Sequence, residues 1–91
     1  MEKRRYRELE IIFKGLANHR RVQLLDTLFR EPELSVMEIA ERLGVDFRTV
    51  SEHTRKLVLG GLIMKRNEAA AVRHALTIRG KDILKFCRTL E

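Results

Sequence analysis

From position 48 to 56 the chain reads R-T-V-S-E-H-T-R-K, and Arg48, Ser51, Glu52 and Arg55 recur there at three- and four-residue spacing. On a helix that spacing gathers them on one face, opposite Val50, Thr54, Leu57 and, at its edge, Val58. Guanidinium groups pair with guanine O6 and N7, and hydroxyls near a helix start, here Thr49 and Ser51, suit phosphate or base edges. Lys56, Lys65, Arg66 and Arg73 add cations suited to backbone phosphate. The chemistry these side chains offer is recognition of a polyanion. Glu52 is the odd member: a carboxylate facing phosphate is tolerable if it accepts from a cytosine amino group or if it pairs with Arg48 or Arg55 along the helix. The first role, that of a reader, is the slightly favoured expectation.

The charge is confined in the same way. The chain of 91 residues carries a net charge of +6, and residues 42–81 hold nine basic side chains against three acidic ones, which accounts for all of it. A basic excess in one contiguous segment is the footprint of a phosphate-bearing partner, because each neutralised phosphate releases condensed counterions. An acidic protein or an anionic membrane surface is the alternative partner; the first would make the chain an interaction module.

Catalysis lacks its parts. No H-E-x-x-H, phosphate loop or cysteine pair occurs, and His19, His53 and His74 are scattered, so no catalytic residue, metal ligand or cofactor is expected. His53 borders the core side of its helix, which favours packing or a phosphate contact. Phe47 reads as a packing residue at the helix start. Cys87 is the single cysteine, unable to form an intrachain disulfide and suited to a reducing cytoplasm, where it reads as a small apolar filler. No apolar run approaches the roughly 18 residues of a membrane span, and the basic start is not followed by a leader's apolar stretch. A cytoplasmic protein without membrane attachment is expected.

The elements that must position the cations are marked by their caps. Tyr6, Leu9, Ile12, Phe13 and Leu16 predict an amphipathic helix over 3–16, with Ile11 off its stripe. Asn18 caps a second helix whose Val22, Leu25, Leu28 and Phe29 share a core face and which Pro32 halts. S-V-M-E at 35–38 spells a capping box for a short third helix with Val36, Ile39, Ala40 and Leu43 buried, closed by Gly44. Asp46 caps the next helix, 47–59, so that two short helices meet through a tight turn. Gly60 and Gly61 end it, and 62–65 and 72–76 flank the segment 66–71 as a β-hairpin. Thr77 caps a last helix with Ile83, Leu84, Phe86, Cys87 and Leu90, its first turn weakened by Gly80.

In order and in residues this resembles the ArsR/MarR-type winged helix-turn-helix regulators. Four segments carry the resemblance: FKGLANHRRVQLLDTL at 13–28, LSVMEIAERLGVD at 34–46, TVSEHTRKLVLGGLI at 49–63 and ALTIRGKDIL at 75–84. The third is the most specific, its T-V-S-x-H running into G-L-I as a recognition helix runs into the wing. The resemblance implies a mainly α fold with a small β-hairpin, of about five helices and a two-stranded wing, and a single winged-helix DNA-binding domain over 1–91. It further implies a homodimer on double-stranded DNA, each recognition helix (about 47–59) in a major groove and each basic wing (about 62–76) on adjacent phosphates or in the minor groove. Repression is the expected mode. The first and last helices are expected to form the dimer interface through Tyr6, Leu9, Ile83, Phe86, Cys87 and Leu90. Three departures stand out: Ser35 and Met37 occupy the places of a metal-sensing C-V-C segment, the wing tip reads Glu68, Ala69, Ala70, Ala71 where a basic residue is common, and Glu52 is acidic. The residues name no effector.

Overall fold

The computed structural model describes residues 1–91. Five helices and one hairpin follow in order: α1 Lys3–Leu16, α2 His19–Arg30, α3 Val36–Leu43, α4 Phe47–Leu59, β1 Ile63–Glu68, β2 Ala71–Leu76 and α5 Ile78–Thr89. Four helices start where a side chain can satisfy their orphan N–H groups. Asn18 accepts from the N–H groups of Arg20 and Arg21, Asp46 from that of Thr49 and Thr77 from that of Gly80. Ser35 and Glu38 form the reciprocal capping box, with bonds of 3.2 and 3.0 Å. Gly44 closes α3 at φ +66°, a left-handed conformation with no steric penalty for glycine, and the chain turns into α4 within three residues.

The core gathers twelve buried apolar residues. Leu24, Leu25 and Leu28 of α2 lie at its centre, Ile39 and Leu43 of α3 and Val50 and Leu57 of α4 press on them, and Leu62, Ile63, Leu76 and Leu84 close the side toward the hairpin and α5. Fully burying each leucine contributes about 1.5–3 kcal/mol, enough for a few such residues to decide the stability of a chain this size. The wheel reading of α2 needs correction at Phe29, which is 50% exposed and has the Arg88 guanidinium 4.5 Å above its ring. Leu24 takes the buried place instead. Helix α1 lies on the surface of this core, touching it with the half-buried Ile12 and Leu16, and approaches α4 closely at Gly15, where a Cβ would stand 3.3 Å from the Lys56 carbonyl oxygen.

The hairpin is longer than the sequence pattern suggests. Its strands run to Glu68 and from Ala71, in antiparallel register from Ile63 opposite Leu76 to Glu68 opposite Ala71, so that Ala69 and Ala70 alone form the turn. Ala69 adopts φ +54° there. A further bridge joins Leu34 to His74, beside β2, and the buried His74 secures it with a ring Nδ1 contact of 2.9 Å to the Leu34 carbonyl.

Candidate nucleic-acid interface

Helix α4 divides as its spacing requires. Val50, His53, Thr54 and Leu57 are buried, Arg48, Thr49, Glu52 and Arg55 are exposed, and Ser51 and Lys56 are half-buried. The tight turn after α3 and the Asp46 cap aim the start of this helix outward. Thr49 also donates its hydroxyl to Asp46 at 2.7 Å, so this side chain belongs to the cap as well as to the exposed surface. Phe47, expected to pack, is 53% exposed at the same end, because the cap turns the first residue of α4 away from the core.

Two of the α4 charges are joined. Arg55 donates to Glu52 through Nε at 3.1 Å and through a terminal nitrogen at 2.6 Å. The guanidinium holds the Glu52 carboxyl below its ordinary range, and the carboxylate in turn pushes the Arg55 pKa up. Arg48, Lys56 and Lys65 make no ion pair. The freely available positive charge on α4 and the wing is therefore smaller than the sequence count.

The strand alternation splits the wing cations, which sequence reasoning treated as one set. Lys65 shares its face with Ile63 and stands opposite His74, whereas Arg66 and Arg73 form a cross-strand pair on the other face. Arg66 reaches Glu68 at 3.1 Å and Glu33 at 2.7 Å, and Arg73 reaches Glu68 at 3.2 Å.

Beneath α4, Arg21 of α2 donates from Nε to His53 Nδ1 at 3.1 Å and from its terminal nitrogen to the carbonyls of Gly15 and Lys14, at 3.1 and 3.4 Å. One guanidinium thus ties α1 and α2 to the buried side of α4. Sequence reading missed Arg21, and nothing in its spacing distinguishes it from neighbouring Arg20. His53 is 7% exposed and packs. Burial first, and then the Arg21 charge, lowers its pKa. An imidazole lowered on folding contributes stability that is fully present above its unfolded value of about 6.5 and lost as pH falls through that value toward the folded one. Thermal melts should therefore show a falling midpoint between pH 7.5 and 5.5. His53→Asn, whose side-chain oxygen replaces Nδ1 as acceptor without titrating, should flatten that dependence, and an unchanged profile would contradict the assignment.

The six residues expected at a dimer interface remain accessible in the single chain. Tyr6, Phe86 and Leu90 are 56, 57 and 70% exposed, and Leu9, Ile83 and Cys87 are half-buried. Phe13 adds to the apolar surface of α1 at 54% exposure. No three histidine, cysteine, aspartate or glutamate side chains gather as a metal site, and no helix is long and apolar enough to cross a membrane.

The family described as HVO_A0114 matches residues 16–80. The transcriptional activator HlyU of Vibrio cholerae is 37% identical over 67 residues, which are 74% of this chain and 61% of that protein. The HTH-type transcriptional regulator Rv0324 of Mycobacterium tuberculosis is 38% identical over 73 residues, 80% of this chain and 31% of that one. The chain thus spans 31 to 61% of the length of these curated relatives. Among solved structures, HlyU from Vibrio cholerae superposes with a TM-score of 0.82 at 33% identity, covering 99% of this chain and 97% of that one. The homodimeric winged helix-turn-helix DNA-binding domain Mb0332 of Mycobacterium bovis, described as a possible ArsR-family regulator, gives 0.80 at 28% identity, covering 99 and 83%.

Proposed function

We propose that this chain, which belongs to the HVO_A0114 family, is a sequence-specific double-stranded DNA-binding regulator of transcription that acts as a homodimer. The observation that carries the reading is α4: a helix buried on one side by Val50, His53, Thr54 and Leu57, with Arg48 and Arg55 exposed on the other and a hairpin beside it. A major groove admits such a helix, and arginine is the side chain best suited to guanine there. Arg48, Ser51 and Arg55 are assigned to base edges, Thr49, Lys56 and Lys65 to phosphate, and Arg66 and Arg73 to the wing's reserve of charge. Residues 1–91 act as one winged-helix domain, with α1 and α5 facing the partner subunit. Repression is the simplest outcome, since a bound dimer occludes the duplex it covers. The protein binds and performs no chemical step of its own, and a soluble place beside the chromosome follows from that role.

Selecting sites from random duplex DNA at fixed salt tests the proposal. A recurrent inverted-repeat site, bound with a steep salt dependence, supports it, and binding only to an acidic protein, with no sequence preference on DNA, overturns it. The same assay decides the role of Glu52. The paired geometry favours an orienter of Arg55 over a reader, so Glu52→Gln should shift affinity by one common factor across all single-base variants of the selected site. A selective loss of roughly 1–3 kcal/mol at one base pair would instead make Glu52 a reader.

A further inference from the structure

The outer face of the hairpin carries a closed set of four charges. Arg66 and Arg73 lie directly across from one another in the strand register, and the Glu68 carboxylate sits 3.1 Å from the first and 3.2 Å from the second. The fourth charge comes from outside the wing. Glu33, in the loop before α3, places its carboxylate 2.7 Å from Arg66 and accepts a hydrogen bond from Arg73 on its backbone carbonyl at 3.0 Å.

Glu33 is held there by its backbone. Its N–H donates to the His74 carbonyl at 2.9 Å, and the following residue, Leu34, forms the isolated bridge to His74. Its φ is +70°, a region that side chains other than glycine, asparagine and aspartate seldom occupy. The strand edge and the Arg73 bond thus fix the direction in which the side chain leaves the loop. Two guanidinium groups and two carboxylates then balance, and the face has no net charge to offer a phosphate.

We propose that Glu33, together with Glu68, is a carboxylate clamp that holds the wing arginines away from DNA phosphate and so sets how strongly the wing grips the duplex. The inference rests on the DNA-binding reading above. A phosphate reaching Arg66 or Arg73 must displace a carboxylate of like charge and then remain beside it, so binding at this face releases few condensed counterions. Lys65, on the opposite face of the hairpin, is the wing cation that grips without such competition. An acidic wing tip, which at first weakens the case for a wing contact, becomes the element that tunes it.

The test is duplex binding by the full chain over a salt series, on the selected site and on random duplex, for the wild type, Glu33→Gln, Glu68→Gln and the double variant. Glutamine keeps an oxygen acceptor for Arg66 and leaves the Glu33 backbone bonds intact, and thermal melts identify any variant that is merely unfolded. The double variant should bind both duplexes about tenfold more tightly at low salt. Its dependence of log K on log salt should steepen by up to about 0.9 for each arginine released. Arg66→Gln should remove most of that gain in the double variant and change little in the wild type. Unchanged affinity and slope in the folded variants, with Arg66→Gln weakening the wild type as a free phosphate contact would, overturns the clamp and leaves the DNA-binding reading standing. A wild type that binds neither duplex at any salt overturns both.

Discussion

Gly80→Ala is expected to lower stability by about 3 kcal/mol, and with it the melting temperature by roughly 12–24 °C for a domain of this size. The sign is opposite to the rule, since glycine to alanine inside a helix ordinarily gains close to 1 kcal/mol. The reason lies in the contact between α5 and the chain entering β1. A Cβ on Gly80 would stand 2.0 Å from the Leu62 carbonyl oxygen and 3.0 Å from its carbonyl carbon. That carbonyl cannot withdraw cheaply. It accepts from the Thr77 N–H at 3.1 Å, the Leu62 N–H donates to Leu57 at 2.9 Å, and the Leu62 side chain is fully buried. Thr77 further pins the junction by donating its hydroxyl to the Gly61 carbonyl at 2.6 Å while capping α5. Thermal unfolding at one fixed protein concentration checks the result, and a variant as stable as the wild type would show that α5 is not seated on this carbonyl.

Phe86→Asp is expected to convert a dimer to a monomer and to weaken binding to the selected inverted repeat by at least about 100-fold. Phe86 is 57% exposed on α5, beside Leu90 at 70% and the half-buried Ile83 and Cys87. A carboxylate at that position therefore leaves the core untouched, and circular dichroism should remain that of the folded chain. In a dimer interface the same carboxylate would be buried without a partner, which typically costs several kcal/mol. The loss on DNA follows from linkage: two joined reading helices bind with an advantage of about 10²–10⁴ over one alone, and a monomer forfeits it. Sedimentation velocity and duplex binding, measured together, check both parts. A wild type that sediments as a monomer at micromolar concentration would remove the premise.

What was legible in the sequence follows from how local each signal is. Asn18, Ser35, Asp46 and Thr77 act within three residues of themselves, and each caps the helix its type announces. The buried stripe of α4 was equally plain, because a two-sided helix writes its period into four turns. The hairpin was cut short at Lys65 and Val72 because beyond the Lys65–His74 pair no residue of the wing is buried, and strands without a buried face lose their alternation. Phe29 was misplaced because Leu24 competes for the same core and the wheel cannot choose between them. The relations that define the candidate site are less legible still. The Arg66–Glu33 pair spans 33 positions and the Arg21–His53 bond 32, and no local pattern encodes either. Gly80 was read as a weak helix former because its reason for being glycine lies at Leu62, in another element.

The near-contact between α1 and α4 has a mechanical side. With Gly15 against the Lys56 carbonyl, and the place of a Gly60 Cβ 3.8 Å from the Ile12 Cα, no layer of side chains separates the two helices at that point. A layer of leucines could shear or repack. Backbone on backbone cannot, and the Arg21 guanidinium bolts the end of α1 to the His53 side of α4 as well. In a dimer seated on α1 and α5, the twofold axis therefore acts on the reading helices through a stiff lever, and the pair of them becomes a ruler of fixed length. Such a ruler is intolerant of phase. One extra base pair between half-sites turns the second by roughly a tenth of a helical turn, and the slack to follow it would have to come from the DNA.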